Sequence, residues 1–269
     1  MIILCGKREV KKEDLDNLSG AHDLLKFLWK SDNAPIYIMD NHLAAAWCWM
    51  QECYTDEKYN FMHIDQHSDL GVCGVTDDIY SLKSNLQVSL EDYMKIKNTK
   101  RQIQFFRCDN YIRACHYLFP SWFNTNLLYF TKPHKDCSVG ELGYDVFPMQ
   151  KMEALYVRQD ITQYIEEQGT FFNGAIIEEE MQTKKWIVNL DLDFFWDDKE
   201  IKVFDEQFIY DLGRRIGNAM KNIQVLTIAL SPKWCGNWID ALNCSKLFLA
   251  NPILANFCME YLENKNLFR

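Results

Sequence analysis

Residues 59–69 read YNFMHIDQHSD, and this stretch decides the fold that the sequence predicts. An almost uninterrupted apolar run, typical of a strand buried on both faces, leads directly into aspartate and histidine residues. Residues 185–195, KWIVNLDLDFF, repeat the arrangement, and residues 35–42, PIYIMDNH, give a third version of it. Buried strands of this kind indicate a parallel sheet, in which ligands bind outside the carboxyl ends of the strands.

The rest of the chain alternates between short apolar or aromatic runs and segments with helical spacing. Strands are predicted at residues 2–5, 35–39, 59–65, 102–107, 126–130, 154–157, 185–192 and 225–230. Helices are predicted at residues 21–30, 42–54, 90–98, 110–119, 205–220 and 250–263. This order predicts an α/β fold, a three-layer αβα sandwich with a mostly parallel sheet. Because the sequence contains no repeat, low-complexity segment or Pro- or Gly-rich linker, residues 1–269 are expected to form a single domain.

The composition narrows the classes of function. Of the 269 residues, 48% are hydrophobic and 25% are charged, which is typical of a globular protein. The formal net charge of −9 argues against a nucleic-acid partner, since such proteins usually present a clustered basic face. No apolar run reaches the ~18 residues of a membrane span, and the first residues, MIILCGKREV, become charged too early for a secretory signal. We therefore expect a cytoplasmic protein with no membrane partner.

The ten cysteines are expected to contribute to packing rather than to chemistry. None of them forms a C-x-x-C pair, and most lie within apolar stretches such as AAAWCWM and LANFCMEY. A chain of this length without a secretory signal has no need of disulfide cross-links. We therefore predict reduced, buried thiols that act as small hydrophobic side chains.

Side chains of metal-ligand type end three of the predicted strands: His42, Asp65, His67, Asp69, Asp191 and Asp193. In an extended chain, residues two apart point to the same face, so that Asp65, His67 and Asp69 can converge. A D-x-D at a strand end or one histidine at a helix start is common without a metal, whereas D-x-H-x-D is much rarer. Ionised carboxylates in a buried strand need a cation or an ion-pair partner. The set suffices for two cations that share bridging carboxylates, and oxygen with imidazole ligands suits manganese.

These motifs resemble those of a known family. The segments DQHSD and NLDLD resemble the two aspartate motifs of the ureohydrolases, the family of arginase and agmatinase, and His42 matches the position of their first metal histidine. The segments MDNH, HIDQHSDL and NLDLDFFW resemble more closely a divergent branch that includes the peptide arginases. Members of that branch convert arginine side chains to ornithine in ribosomally made peptides. The resemblance covers roughly residues 35–235.

The resemblance implies an arginase/deacetylase-like fold with two Mn²⁺ ions. One ion would be held by His42, Asp65, Asp69 and Asp191. The other would be held by Asp65, His67, Asp191 and Asp193, with Asp65 and Asp191 as bridges. The ions would lower the pKa of a shared water, and the resulting hydroxide would attack the guanidinium carbon. Asp69 or Asp193 would receive the proton, and His116 is the candidate for a further proton-transfer residue.

The sequence also departs from the family pattern. Free-arginine enzymes have G-G-D-H where this chain has residues 39–42, and a further Asp-Pro where it has Phe194-Phe195-Trp196. Core packing and the lining of a cleft are both open for this aromatic triplet. Those enzymes also hold the guanidinium with a Glu after the last strand, where this chain offers Ala229, Ser231 and Trp234. Several acids elsewhere are candidates for that role, although for any single one of them a solvated loop residue is the simpler reading: Glu141, Asp145, Glu178, Glu179, Glu180, Asp197 and Asp198.

The remaining histidines leave the proton-transfer group open. His116 lies on a predicted helix among apolar residues, where a buried, hydrogen-bonded histidine is the alternative reading. His134 follows a predicted strand and is a weaker candidate. His63 has the same parity as Asp65 but lies deeper in its strand, so we expect it to hydrogen bond rather than to bind metal directly. Nothing in the sequence around His22 indicates a functional role.

The predicted function is a manganese-dependent hydrolase that releases urea from arginine side chains, with an arginine-containing peptide as the partner. The alternatives are a hydrolase of free small guanidines, such as an arginase or agmatinase, a metal-dependent amide hydrolase, and an inert binding module that keeps the fold. The related deacetylases bind one zinc with an Asp/His/Asp set and do not need His42, Asp69 and Asp193. No motif in the sequence indicates an oligomeric state.

Overall fold

A computed structural model of the chain describes residues 2–3, 25–71, 88–97, 104–123, 127–131, 186–197 and 199–263. Its strands are β1 (Ile2–Ile3), β2 (Leu28–Lys30), β3 (Ile36–Met39), β4 (Asn60–Asp65), β5 (Leu127–Thr131), β6 (Trp186–Asp191) and β7 (Ile223–Ala229). They form one sheet in the order β1-β2-β3-β7-β6-β4-β5. The pairs from β3 to β5 are parallel, and β1 and β2 are antiparallel at one edge. The predicted α/β fold with a mostly parallel sheet is therefore confirmed.

The helices of the described residues are α1 (Ala45–Glu52), α2 (Leu90–Lys95), α3 (Tyr111–Leu118), α4 (Glu206–Asn218), α5 (Trp238–Leu249), α6 (Pro252–Phe257) and α7 (Met259–Glu263). Short 3₁₀ turns lie at His42–Ala44, Pro120–Phe123, Leu192–Phe195 and Met220–Asn222. The sequence patterns predicted all of these α-helices except α5. This helix begins at Asn237, whose side chain accepts a hydrogen bond from the Asp240 backbone N–H.

Apolar side chains cover both faces of the sheet. Along β3, Ile36 and Ile38 belong to one buried cluster, which also contains residues of α4, α5, α6 and α7. Tyr37 and Met39 point the other way, into a second cluster with residues of α1, α2 and α3. Because successive residues of a strand point to opposite faces, a strand between two helical layers has to be apolar throughout. The arrangement is compatible with the predicted three layers.

The carboxyl ends of the central strands meet at one edge of the sheet. Asp191, the last residue of β6, pairs with Ala229 at the end of β7, and Ala229 pairs with Met39 at the end of β3. On the other side of β6, Leu190 pairs with Ile64 of β4. The chain segments that follow these strands therefore start side by side, which is where parallel sheets place their ligand sites.

The helix predicted at residues 21–30 is wrong in its described part. Residues 28–30 form β2, which pairs antiparallel with β3 across the loop of residues 31–35. The buried carboxylate of Asp40 accepts hydrogen bonds from the backbone N–H groups of Lys26 and Phe27, both at 3.1 Å. Strand pairing and this side-chain contact outweigh the helical spacing of the apolar residues, because local propensity is a weak preference beside tertiary contacts.

The strand predicted at residues 102–107 is also wrong in its described part. Gln104 makes only an isolated bridge with Lys97, and residues 105–106 form a bend. Phe105 and Phe106 are nevertheless buried, and Phe106 stacks on Tyr93 with ring centroids 4.6 Å apart. The apolar run thus reflects a buried loop rather than a strand. The strand predicted at residues 154–157 lies outside the described residues.

The described cysteines support the predicted packing role. Cys48, Cys53, Cys235, Cys244 and Cys258 are buried thiols without a disulfide bond. Burial raises the pKa of each of these thiols, so that they remain protonated. Among the described residues, none of the helices has the length and apolar composition of a membrane span.

The close contact between α4 and α5 depends on a glycine. A Cβ atom at Gly213 would overlap the backbone carbonyl of Phe248. We expect Gly213→Ala to lower the free energy of unfolding by about 1–3 kcal/mol, because the helices must separate to accept the methyl group. Urea denaturation followed by fluorescence measures the change. Asn218→Ala, at an exposed position of the same helix, is the control, and equal stability of the two variants would contradict the expectation.

Candidate metal centre

The structure brings the six predicted ligand residues together at the carboxyl edge of the sheet. Asp65 and Asp191 are the last residues of β4 and β6. The others lie in the segments that follow these strands and β3: His42, His67, Asp69 and Asp193. His42 begins the 3₁₀ turn after β3, and Asn41 caps this turn by accepting a hydrogen bond from the Leu43 N–H.

The first group consists of His42, Asp65 and Asp69. His42 Nδ1 lies 2.7 Å from Asp69 Oδ2 and 3.3 Å from Asp65 Oδ2. Each of the three residues offers one ligand atom, and these atoms lie within 4.8 Å of one another. That spacing allows all three atoms to contact one metal ion.

The second group consists of Asp65, His67 and Asp193. His67 Nδ1 lies 3.1 Å from Asp193 Oδ2 and 3.5 Å from Asp65 Oδ1. These ligand atoms also lie within 4.8 Å of one another. Asp65 belongs to both groups, so that the two clusters that could hold a metal are adjacent and share one carboxylate.

Asp191 contacts the same cluster from β6. Its Oδ2 atom lies 3.5 Å from His42 Nε2 and accepts a 2.6 Å hydrogen bond from Ser231 Oγ. Its Oδ1 atom accepts the backbone N–H of Asp193 at 3.0 Å. Asp191 is thus held in place by two hydrogen bonds beside His42, and its role as a second bridging ligand stays a prediction.

The ligand residues converge through turns rather than through strand alternation. The strands end at Asp65 and Asp191, so the residues beyond them are not extended. In both segments, the aspartate Oδ1 accepts the backbone N–H two residues on: His67 N at 2.6 Å and Asp193 N at 3.0 Å. This side-chain turn folds each segment back over the strand end. The residues predicted to converge do so, but the expected extended geometry is wrong.

Two strained backbone positions lie at the same place. Asp69 has φ 50° and Ser231 has φ 42°, and both are non-glycine residues in the left-handed region. Such conformations cost of order 1–3 kcal/mol and persist where surrounding contacts impose them. Here the side chains of both residues bond within the cluster, Asp69 to His42 and Ser231 to Asp191.

The charges of the cluster conflict in the absence of a cation. Burial and the nearby carboxylates of Asp69 and Asp193 raise the pKa of Asp65 well above its usual range. Burial and Asp193 likewise raise the pKa of Asp191 to about 7. For His42, burial lowers the pKa, but the charge of Asp191 and the contact with Asp69 outweigh it and raise the pKa to about 10. Each group thus disfavours its ordinary charge state, as expected when like charges share a buried site.

Three buried polar atoms at the site have no hydrogen-bond partner: His42 Nε2, Asp65 Oδ2 and Asp193 Oδ2. Buried polar atoms are usually satisfied, because an unmade hydrogen bond inside a protein costs about 1–3 kcal/mol. A divalent cation would satisfy the two carboxylate oxygens and relieve the carboxylate repulsion. Carboxylate oxygen with imidazole nitrogen is a donor set that suits Mn²⁺, so the residues fit the predicted metal.

A buried hydrogen-bond network supports the centre from below, and the sequence analysis missed it. Trp49 Nε1 donates to Thr227 Oγ1 at 3.2 Å, and Thr227 Oγ1 donates to Asn189 Oδ1 at 2.7 Å. Asn189 Nδ2 then donates to the Tyr111 hydroxyl at 2.9 Å, which lies 3.0 Å from His42 Nδ1. Asn189 and Thr227 could have indicated this network in the sequence, since they are polar residues within otherwise apolar strands and buried polar residues need hydrogen-bond partners.

The same network fixes the tautomer of His63. Asn189 Nδ2 donates to His63 Nδ1 at 2.9 Å, so that the proton of the neutral ring lies on Nε2. His63 Nε2 donates to the backbone carbonyl of His67 at 3.0 Å. Burial lowers the pKa of His63 to about 4, which keeps the ring neutral. The hydrogen-bonding role predicted for His63 is confirmed, and its target is the loop that carries the ligands.

The structure also shows what surrounds three other predicted candidates: His116, the aromatic triplet and Asp197. His116 stacks on Phe123 with ring centroids 4.4 Å apart, and burial lowers its pKa to about 3. Its part in proton transfer stays a prediction. Phe194, Phe195 and Trp196 are buried in the main core, so the aromatic triplet is core packing. Asp197 Oδ1 accepts the backbone N–H groups of Lys199 and Ile201, both at 2.9 Å, and thereby closes its own turn.

Several candidates lie outside the described residues: His22, His134, Glu141, Asp145, Glu178, Glu179, Glu180 and Asp198. Trp234, noted in the sequence at the end of the last strand, lies beside His67 with ring centroids 5.5 Å apart. It is the aromatic residue that borders the second group.

No protein-family model matches the chain, and no curated protein sequence matches it significantly.

Single substitutions should reveal two ions that share Asp65. We expect two Mn²⁺ ions per wild-type chain, one in Asp69→Asn and one in Asp193→Asn, because each variant loses a ligand of one group. Asp65→Asn should bind neither ion, since it removes the shared carboxylate. Elemental analysis after dialysis against manganese measures the content.

Two further variants sharpen this comparison. Asp56→Asn makes the same chemical change at an exposed turn residue and should keep both ions. Asp191→Ala should lose both ions if Asp191 bridges them, and retention of one ion would contradict that role. Full metal content in Asp65→Asn would contradict the shared centre.

The Tyr111 hydroxyl should strengthen metal binding at the first group. Burial and the charge of Asp69 raise the pKa of Tyr111, so the hydroxyl stays protonated beside His42. Tyr111→Phe should lower the binding affinity for one of the two ions by about 10-fold or more, because residues that orient a metal ligand tune the affinity for the metal. Competition with a chelator measures this. Tyr93→Phe is the control, since that buried hydroxyl donates to the Leu43 carbonyl instead; equal affinities would contradict the expectation.

Proposed function

We propose that the protein is a manganese-dependent hydrolase that converts arginine side chains of a peptide to ornithine and releases urea. The observation that carries the proposal is the pair of His/Asp groups that share Asp65 at the carboxyl edge of the sheet. The motif resemblance supports the same reaction, since none of the six residues that it implies as ligands is replaced in the sequence.

The chemistry of the substrate supports a two-metal centre. A guanidinium is stabilised by resonance and is always cationic near neutral pH, so its carbon is a poor electrophile. When bound, two divalent cations would lower the pKa of a water molecule enough for it to react near neutral pH. A centre with only one Asp/His/Asp set would leave His42, Asp69 and Asp193 without a metal to bind.

The residues of the chain would bind the ions and handle protons. His42 and Asp69 would hold one ion, His67 and Asp193 the other, with Asp65 shared. Addition of water to the guanidinium carbon and cleavage of its bond to the side-chain nitrogen yield urea and the ornithine amine. Asp69 or Asp193 would accept the proton that water loses, as the resemblance implies. The leaving nitrogen takes up a proton as the bond breaks.

Three exposed apolar side chains lie in the segments that follow the central strands. Ile201 and Val203 follow β6, and Ile239 follows β7, and these side chains are 57%, 48% and 64% exposed. The segments that carry them leave the sheet at the edge where the metal centre lies. Exposed apolar side chains on these segments would suit a ligand longer than one amino acid.

Urea release tests the proposed function directly. The manganese-loaded protein should release urea from an arginine-containing peptide faster than from free arginine or agmatine. Chelation should abolish the release and added Mn²⁺ should restore it, since the attacking hydroxide would come from metal-activated water. Urea is measured enzymatically, because loss of the guanidine carbon and deacetylation change the nominal mass of a peptide almost equally.

The controls separate the alternatives. An acetyl-lysine version of the same peptide tests amide hydrolysis, and its turnover without urea release would favour the amide hydrolase. Equal or faster turnover of free arginine would overturn the peptide preference. Stable metal binding without turnover of any of these compounds would favour an inert binding module.

A further inference from the structure

Trp234 lies at the rim of the metal centre with an exposed aromatic surface. Its ring centroid is 5.5 Å from that of His67, and the residue is 36% exposed. All seven other tryptophans are buried: Trp29, Trp47, Trp49, Trp122, Trp186, Trp196 and Trp238. An indole that touches a candidate metal ligand and also faces solvent is placed to contact whatever enters the site.

The segment that carries Trp234 is attached to the centre. This β7 loop, residues 230–237, follows the end of the strand, and its Ser231 Oγ donates to Asp191 Oδ2 at 2.6 Å. The backbone N–H groups of Trp234 and Cys235 both donate to the Ser231 carbonyl, at 2.8 and 3.1 Å. The turn that starts at the Asp191 contact therefore ends with the indole against His67. Trp234 is positioned by the site and is not a free surface residue.

The indole already attracts a cation within the chain. Lys233 Nζ lies over the Trp234 ring, 5.2 Å from its centroid. A cation within about 6 Å of an indole face is attracted by the negative charge of the ring face. The β7 loop itself contains no aspartate or glutamate, and Asp240, just beyond it, is hydrogen bonded to Asn237.

We infer that the exposed indole of Trp234 is the surface on which the cationic side chain of the substrate docks. The inference rests on the proposed function, because it assigns the recognition of that substrate to one residue. The aliphatic part of an arginine side chain packs on the ring, and the guanidinium stacks at its face. An aromatic face attracts the cation without adding a further negative charge to a cluster of four carboxylates.

Binding of two matched peptides tests the inference. One peptide carries lysine and the other norleucine at the same position, so that they differ in the cationic group and neither has a guanidinium carbon to be attacked. Calorimetric titration of the manganese-loaded protein should show tighter binding of the lysine peptide. Trp234→Leu keeps apolar bulk without an aromatic face, and should lower the ratio of the two affinities by about 5- to 30-fold.

A second variant keeps the test decisive. Trp234→Phe retains a weaker aromatic face and should give an intermediate ratio, and metal content should equal that of the wild type in both variants. If Trp234→Leu loses metal, the test is whether the ratio of the two peptide affinities is lower in Trp234→Phe than in the wild type. An unchanged ratio in the metal-loaded variants, or a wild-type protein that binds the two peptides equally or not at all, would overturn the inference.

The urea assay on the same proteins distinguishes the two proposals. Urea release by the wild type, together with an unchanged ratio of the two peptide affinities in Trp234→Leu, would refute only the docking role of Trp234. A Trp234-dependent preference for the lysine peptide without urea release from any arginine compound would refute only the proposed reaction and leave the docking surface standing. If both hold, Trp234→Leu should raise KM for the arginine peptide more than it lowers kcat.

Discussion

The buried position of Asp65 among other carboxylates is the constraint on which the rest of the structure depends. Asp65 is 1% exposed, and Asp69, Asp191 and Asp193 all act to raise its pKa. Like charges in a buried site are unfavourable unless a cation or hydrogen bonds compensate them. Backbone N–H groups, Ser231 and the two imidazoles compensate in part, and the unsatisfied oxygens of Asp65 and Asp193 indicate what a divalent cation would add.

The fold holds this unfavourable arrangement in place through the layers beneath it. Parallel pairing aligns the ends of β3, β7 and β6, and the side-chain turns at Asp65 and Asp191 then direct the following residues over the sheet. Below them, Asn189 bonds both to Tyr111, which contacts His42, and to His63, which holds the His67 carbonyl. One buried amide thereby supports ligands of both groups. Precise placement by residues outside the metal contacts is what makes such a centre selective.

Sequence reasoning succeeded where a residue type has few possible explanations within a buried strand. Charged and imidazole side chains at the ends of apolar runs predicted the members of the cluster, because such residues are rarely buried without a partner. It failed where burial was read as regular structure. Residues 28–30 follow helical spacing but pair with β3, and Phe105 and Phe106 are buried in a loop. Apolar spacing reports burial, whereas the pairing partner comes from elsewhere in the chain.

The sequence alone thus determined the type of sheet, the edge where chemistry is concentrated and the donor atoms that meet there, because strand burial and ligand chemistry are properties of the residues themselves. Only the tertiary structure decided which of these donor atoms lie close together, that Asn189 and Tyr111 support them, and that Trp234 reaches His67. Those relations join residues that lie far apart in the chain, and they depend on angstrom-scale distances between side chains. Strand pairing and turn geometry establish these distances, and no local sequence pattern contains them.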